Sequence, residues 1–342
     1  MKKVSLADVA KSLGVSKTLV SLVLNDRGNE HGINQETQKK VREKVKELNY
    51  KPNQFARGLR IGKSNTVGLV IADISNPFYA KLCKSIEDAL NKYDYNLMIC
   101  STEESAKKES DLIEMLIDRQ VDGLIISTTQ KNNDDIIQLK SKNFPFVLID
   151  RHIYELETNH VIVDNEVGAI NAVQYLVDLG HKEIGHLTLT PTHLSTLKDR
   201  TTGYQKALEK NGIELDDGLI KSIPFGNFQG DVAAALNDLR KTHPNVSALF
   251  VVNNILALAA MQHFSDVGIS IPDQVSIISF DDIEVFKLCS PPITAVSQPI
   301  EEMGKTACKI LLEEIRKPAS GRIQKVCLPT RLNKRKSCLQ LN

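Results

Sequence analysis

The sequence predicts a small all-α helix-turn-helix domain followed by a larger α/β domain whose parallel sheets form two lobes. Its 342 residues exceed the length of one ordinary domain. Short amphipathic helices occupy the first fifty residues. From Thr66 onward, short apolar runs alternate with helical segments, a pattern that reaches Val163 and restarts at Ile184. Near-continuous apolar strands separated by helices indicate parallel sheets covered on both faces.

Charge is distributed unevenly along the chain. Residues 1–64 contain 14 Lys and Arg against 6 Asp and Glu, a local net charge of +8, although the whole chain carries only +1. A basic segment joined to an acidic remainder points to a polyanion as the partner of that segment. An ordinary solvated basic surface is the alternative.

Composition and missing motifs exclude several classes of protein. Hydrophobic residues make up 42% and charged residues 25%, as in globular proteins. No signal-peptide pattern and no 18-residue apolar run is present, so we expect a cytoplasmic protein without a membrane partner. The six cysteines are scattered without a CxxC pair, which argues against zinc and disulfides. Without nucleotide-binding, nucleophile-elbow or metal-spacing motifs, we expect no enzyme activity, cofactor or metal.

Cap residues divide the amino-terminal segment into three helices. Ser5 begins the first helix, Gly14 ends it, and Ser16 begins the second. The short connection that contains Gly14 predicts a helix-turn-helix. A third helix follows Asn34 and stops near Pro52.

The segment 53–65 is predicted to be a linker that contains a weak helix. Asn53 can cap this helix, but Gly58 in its middle costs about 1 kcal/mol relative to alanine. Because so short a helix does not persist alone in water, we expect it to fold only when another contact stabilises it.

Several motifs closely resemble the lactose/galactose-repressor (LacI-type) family of bacterial regulators. They are Ala7-Asp8-Val9-Ala10, Gly14-Val15-Ser16, Val20-Ser21, Val23-Leu24-Asn25, residues 47–53 and Ala56-Arg57-Gly58-Leu59. The resemblance extends to Arg335-Lys336-Ser337 and covers essentially the whole chain. It implies a DNA-binding headpiece at 1–52, a hinge helix at 53–65, and an effector-binding and dimerisation domain at 66–342 with the two-lobed periplasmic-binding-protein-like (type I) fold. We expect lobe 1 at about 66–163 and 294–326, and lobe 2 at about 164–293 and 327–342.

The same resemblance assigns DNA contacts. It directs Lys17, Thr18 and Leu22 of the second helix at base edges in the major groove. Phosphate and hinge contacts are implied for Ser5, Ser16, Ser21, Asn25, Ala56 and Leu59, the last as a wedge in the minor groove. The chain departs from the family at Leu19, where a threonine is usual, and at Leu22, where a hydrogen-bond donor is common. Leu22 could instead pack against the third helix. The loop 26–32 is also longer than most in the family.

Candidate effector contacts follow the strands of the larger domain. Arg200 and Asp281 are the strongest, because a guanidinium and a carboxylate in one cleft can bind vicinal hydroxyls. The alternatives are an interlobe salt bridge for Arg200 and a helix cap for Asp281. The full set of candidates is Phe78, Asp150, Arg200, Phe228, Asn254 and Asp281. Phe228 could be simple core, Asp150 could form a local ion pair, and Asn254 stands where the family more often has Asp.

These observations predict a homodimeric regulator, possibly of higher order, that binds double-stranded palindromic operator DNA, most simply as a repressor. A small effector, in the family most often a sugar, would control it. A purine or other non-sugar corepressor and a soluble sugar-binding receptor are the alternatives. The sequence leaves the sign of the effector's action open.

Overall fold

The computed structural model describes residues 4–50, 63–317 and 323–341. The chain divides into two compact units, Met1–Ser64 and Asn65–Asn342. We refer to the first as the headpiece and to the second as the core domain, and each is described separately.

The headpiece contains α1 (Leu6–Leu13), α2 (Lys17–Leu24) and α3 (Gln35–Glu47). All three predicted caps are confirmed. The Ser5 and Asp8 side chains form a reciprocal capping box, the Ser16 hydroxyl accepts from the amide of Leu19, and Asn34 accepts from the amide of Thr37. Gly14 ends α1 at φ 64°, a left-handed conformation in which glycine carries no Cβ penalty.

A small apolar core holds these three helices together. Its buried members are Val9, Ala10, Val20, Val23 and Val41. Helices this short are marginal alone in water, so their stability comes from packing these faces together.

The first lobe of the core domain is built on a six-stranded parallel sheet. Its strands are β1 (Thr66–Ile71), β2 (Asn96–Ser101), β3 (Gly123–Ile126), β4 (Phe146–Ile149), β5 (His160–Val163) and β11 (Lys325–Leu328), in the order β11-β5-β4-β3-β1-β2. The helices of this lobe are α4 (Pro77–Asn91), α5 (Ala106–Asp118), α6 (Asp134–Ser141) and α12 (Ile300–Arg316). Strands β1, β3 and β4 are almost fully buried, which explains their continuous apolar sequences.

The second lobe repeats this design. Its strands are β6 (Ile184–Thr190), β7 (Ile220–Pro224), β8 (Ala248–Val251), β9 (Ser276–Phe280), β10 (Thr294–Ser297) and β12 (Arg331–Asn333), in the order β12-β10-β9-β8-β6-β7. Only β12 runs antiparallel to its neighbour. The helices are α7 (Asn165–Asp178), α8 (Ser195–Lys210), α9 (Phe228–Thr242), α10 (Asn254–Asp266) and α11 (Val285–Leu288).

The chain passes between the lobes after β5, after β10 and after β11. Because β10 pairs with β9 and β11 pairs with β5, the second and third passages lie between 297 and 300 and between 328 and 331. The predicted lobe boundaries near 294 and 327 therefore need correction: 294–297 belongs to lobe 2, and 325–328 belongs to lobe 1.

Within the described residues, no helix is long and apolar enough to cross a membrane. No group of three or more His, Cys, Asp or Glu side chains in that part of the chain could hold a metal ion. All six cysteines are free thiols.

Candidate DNA-reading helix and effector cavity

Helix α2 presents the residues expected to read DNA. Lys17 and Thr18 are exposed at its first turn, and Leu22 is half-buried. Leu22 is not among the residues that pack on the headpiece core, whereas Leu19 is. The departure at Leu19 thus adds an apolar contact to the core, and the side chain of Leu22 remains accessible for another surface.

The polar side chains beside this helix are held by local hydrogen bonds. The Asn25 amide donates to the Ser21 carbonyl (2.6 Å) and to the Ser21 hydroxyl (3.4 Å). The Ser16 hydroxyl accepts from Leu19 N (3.1 Å), and the Ser5 hydroxyl donates to Asp8 (2.7 Å). These bonds orient the groups that the resemblance assigns to phosphate contact.

The long loop 26–32 is tied to α3. The Gln38 amide is buried and donates to the Asn29 side chain and to the Ile33 carbonyl, both at 2.8 Å. Arg42 pairs with Asp26 at 2.7 Å. Gly28 lies against Gln38 so closely that a Cβ there would approach Gln38 Cδ to 2.5 Å. Ala56 and Leu59, the expected hinge contacts, lie outside the described residues.

In the core domain, a cavity of about 530 Å³ is lined by both lobes at the carboxyl ends of their strands. This volume falls in the range of small-molecule sites, and the location is the usual one for ligands of parallel α/β sheets. Five of the six predicted effector residues line it: Phe78, Asp150, Arg200, Phe228 and Asp281.

Arg200 and Asp281 form the wall from lobe 2. The Arg200 guanidinium lies 3.7 Å from the Phe280 ring centroid and donates to Asn165 and to the Val252 carbonyl, each at 2.8 Å. Its Nη1 is 3.5 Å from Asp281 Oδ2. Because both residues belong to lobe 2, the interlobe salt bridge considered for Arg200 is excluded. Asp281 also accepts from Gln298 at 2.6 Å.

Asp150 occupies the corresponding position in lobe 1. Asp150 directly follows β4 with φ 68°, and Asp281 directly follows β9 with φ 67°. Aspartate tolerates this left-handed conformation better than most residues. Asp150 accepts from the Tyr79 hydroxyl at 2.9 Å, and its burial raises its pKa.

Arg151 lies beside Asp150 and is committed chiefly to Glu104. Two of its nitrogens donate to the two Glu104 oxygens at 3.0 and 2.5 Å, and Nη1 also donates to the Thr128 carbonyl. Its Nε is 3.8 Å from Asp150, too long for a hydrogen bond, and has no other partner. The predicted alternatives for Asp150 thus both apply, since it lines the cavity and lies beside a cation.

Aromatic rings reach the cavity from both lobes. Phe78 and Tyr79 meet edge to face at 5.0 Å between centroids, and Phe225 and Phe228 do so at 6.1 Å. Phe228 also packs against the lobe 2 core, so it combines the predicted contact with the structural alternative. Such rings can cover the apolar face of a sugar or a base.

Asn254 does not line the cavity, so its assignment as a direct contact needs correction. It is fully buried at the first position of α10, and its amide lies 3.4 Å from Asn76 Oδ1 of lobe 1. Its neighbour Asn253 lines the cavity instead, and its side chain caps α10 by accepting from Leu256 N. Other lining residues that were not predicted from the sequence include Tyr79, Glu104, Phe225 and Gln298.

Polar contacts bridge the lobes along one edge of the cleft. The Gln130 side chain accepts from Ser195 N at 2.8 Å, and His193 Nε2 donates to the Thr129 carbonyl at 3.0 Å. The Tyr154 hydroxyl donates to Asp199. On another part of the cleft, Lys81 pairs with Glu284 at 3.2 Å. The structure is therefore of the domain with its lobes in contact.

Comparisons with known proteins decide the family. Residues 5–53 match the bacterial regulatory proteins of the lacI family, and residues 173–338 match the periplasmic binding protein-like domain. The regulator DegA of Bacillus subtilis is 34% identical over 343 aligned positions, covering 99% of each chain. The chain belongs to the lacI family.

Other relatives agree with this assignment. The repressor PurR of Aliivibrio salmonicida is 33% identical to this lacI-family chain, over 91% of it and 92% of the relative. The lac repressor dimer bound to operator and the anti-inducer ONPF shares 25% identity with a TM-score of 0.84, covering 99% of this chain and 100% of that one. The complex of the regulator CelR with cellobiose shares 27% identity with a TM-score of 0.73, covering 98% and 100%. The protein is a DNA-binding transcriptional regulator of a non-enzymatic family.

Proposed function

We propose that this lacI-family regulator binds a palindromic operator as a homodimer, and that a sugar in the interlobe cavity changes its affinity for that operator. The observation that carries the proposal is the cavity, which pairs the buried Arg200 with Asp281 beside aromatic rings. The relatives that were solved with cellobiose and with ribose support a sugar as ligand. Its DNA partner implies that the protein acts in the cytoplasm.

Reading of the operator is proposed for α2, with Lys17, Thr18 and Leu22 at base edges and Ser5, Ser16, Ser21 and Asn25 at phosphates. From the family resemblance, Ala56 and Leu59 are proposed to contact the minor groove. Action as a repressor is the simplest form of this proposal.

Control by the sugar is proposed to act through the lobes. Ligand bound between Arg200 and the lobe 1 residues would stabilise the closed arrangement held by contacts such as Gln130 with Ser195. A typical coupling of about 1–3 kcal/mol would change operator affinity roughly 5- to 150-fold.

Two variants separate the two halves of the proposal. An operator is first selected from random duplexes with the full chain, and sugars are screened for a change in its affinity. Asp281→Asn should keep operator affinity but lose the response to the sugar. The substitution removes the negative charge of Asp281 from the cavity, while the asparagine oxygen can still accept the hydrogen bond from Gln298. Lys17→Ala should lose operator affinity but keep sugar binding. If the wild-type chain selects no duplex, or if no sugar alters its affinity, the proposal is wrong.

A further inference from the structure

Carboxylates outnumber cations in the effector cavity. The lining includes Asp73, Glu103, Glu104, Asp150 and Asp281 but only Arg151 and Arg200 as cationic side chains, a formal excess of three negative charges. Within the described residues, no lysine or histidine side chain joins this lining.

Both guanidinium groups are already neutralised by the protein. Arg151 forms a bidentate salt bridge with Glu104, and its Nε also lies 3.8 Å from Asp150 Oδ2. Arg200 is next to Asp281 and bonded to Asn165 and Val252. An anionic ligand would have to share a guanidinium with the carboxylate that this guanidinium already compensates.

The negative charges of the remaining carboxylates are only weakly compensated by neighbouring groups. Glu103 pairs at 2.8 Å with Lys108, but the Glu103 side chain is 72% exposed and that pair is screened by solvent. Asp73 accepts from the amide and hydroxyl of Ser75, both neutral donors. Asp150 is buried, and its hydrogen bond from the Tyr79 hydroxyl at 2.9 Å also comes from a neutral donor.

Other groups of the cavity suit neutral or positively charged ligands. Carboxylate oxygens accept from hydroxyl and ammonium groups, and the unpartnered Nε–H of Arg151, a residue only 6% exposed, is a buried donor without an acceptor. The rings of Phe78, Tyr79, Phe225 and Phe228 can cover a sugar face or lie against an ammonium group.

We infer that this cavity selects its ligand by charge, taking an uncharged or amine-bearing sugar and rejecting sugar acids and sugar phosphates. The inference rests on the proposed function, because it specifies the ligand of the same cavity. Two like charges about 8 Å apart at an effective dielectric constant of about 20 weaken binding roughly 30-fold. An anionic analogue should therefore bind at least roughly 100-fold more weakly than its neutral parent, since several carboxylates act together.

The test compares sugars that differ only in charge. Glucose, galactose, mannose, cellobiose and lactose are screened with the full chain by thermal shift, together with the 2-amino sugars, uronic acids and 6-phosphates of the three monosaccharides. Calorimetry then measures the affinities of compounds that raise the melting temperature. Stabilisation by neutral or amino sugars alone supports the inference. Stabilisation by an acid or a phosphate overturns it, and so does failure of every neutral and amino sugar.

A charge-neutralising variant tests the cause. The double substitution Asp73→Asn and Asp150→Asn keeps the side-chain shapes, one acceptor oxygen on each side chain and the tolerance of the left-handed backbone at 150. It should reduce the discrimination against the acid or phosphate analogue at least tenfold, whereas Glu214→Gln, at an exposed site outside the cavity, should leave it unchanged. Equal discrimination in both variants would show that shape alone excludes anions, and the inference would be wrong.

Operator affinity is measured separately in the same samples, which tests the proposed function independently of this inference. If sugar binding is charge-selective but leaves operator affinity unchanged, the proposed control of DNA binding fails while this inference stands. If an anionic sugar binds and releases or tightens the operator, the inference fails while the proposed function stands.

Discussion

At the scale of single residues, two leucines of α2 have different roles, one in folding of the headpiece and the other in the proposed recognition of DNA. Leu19 packs against the headpiece core, whereas Leu22 is half-buried without joining it. A leucine can contribute to base recognition only through apolar contact, for which the thymine methyl group is the natural partner in the major groove.

Substituting each leucine with alanine should therefore give opposite results. Leu22→Ala should weaken operator binding roughly tenfold, with relaxed preference at one base pair, and change the free energy of unfolding by less than about 1 kcal/mol. Leu19→Ala should destabilise the headpiece by about 1–2 kcal/mol, because it removes apolar packing. Anisotropy with the selected duplex and urea unfolding provide the two measurements. Loss of stability in Leu22→Ala with unchanged base preference would assign Leu22 to packing.

Some residues of the cavity could be predicted from the sequence and others could not. Asp281 and Phe78 were predicted because they stand in recognisable motifs next to a strand or at a helix start. Arg200 was predicted from its motif before Gly203-Tyr204, although it is the sixth residue of α8 and not its start. Tyr79 was missed because, on sequence alone, it is one apolar position of α4 among others that are buried. Glu104 and Gln298 come from distant parts of the chain, and only the packing of both lobes brings them to one cavity. Asn254 was placed in the correct region, but whether it or Asn253 faces the cavity depends on the first turn of α10.

At the scale of elements, buried strands were predictable and marginal strands were not. Strands such as β3 and β4 are apolar throughout because both faces are covered. By contrast, β7 and β11 are partly exposed at sheet edges, and β12 has only three residues. Their sequences lack a continuous apolar run, and their pairing depends on neighbours far away along the chain. The predicted lobe boundary near 327 shifted for the same reason, because β11 is such an edge strand.

The packing of α7 on α8 positions the strongest ligand residue. Gly203 of α8 faces α7 so closely that a Cβ there would lie 2.4 Å from the Glu166 carbonyl oxygen and 2.7 Å from the Ala169 Cβ. The clash involves backbone, which cannot rotate away, so the helices must separate. Arg200 lies one turn before Gly203 and bonds to Asn165 at the start of α7.

Gly203→Ala should consequently disturb both stability and ligand binding. We expect a loss of about 1–3 kcal/mol in the free energy of unfolding, typical of overpacking, and roughly tenfold weaker sugar binding as Arg200 moves. The control is Lys206→Ala on the same helix, which removes only a partly exposed pair with Glu166 and should cost less than about 1 kcal/mol. Urea unfolding and calorimetry measure both effects. A variant as stable as the wild type would contradict the close approach of the two helices.

At the scale of the whole molecule, the buried histidines are confined to the core domain. His186 is fully buried between the rings of Tyr204 and Phe250, and its Nδ1–H donates to the Phe250 carbonyl at 3.1 Å. Burial lowers the pKa of His186 to about 4, and burial likewise lowers the pKa of His160 to about 4. The only histidine of the headpiece, His31, is exposed.

Acid should therefore destabilise the core domain selectively. An unfolded histidine has a pKa near 6.5, so between about pH 6.5 and 4 the unfolded chain binds more protons than the folded chain. The stability contributed by these neutral histidines is fully present above about pH 6.5 and is lost as the pH falls toward 4. By this argument His186 alone accounts for about 3 kcal/mol across that range. When the pH falls from about 7.5 to about 5, the melting temperature of the core domain should fall well beyond that of the headpiece. Scanning calorimetry at the two pH values measures both melting temperatures. Ring carbon chemical shifts of labelled histidine should show His186 still neutral at about pH 5, and its protonation there in the folded protein would contradict the argument.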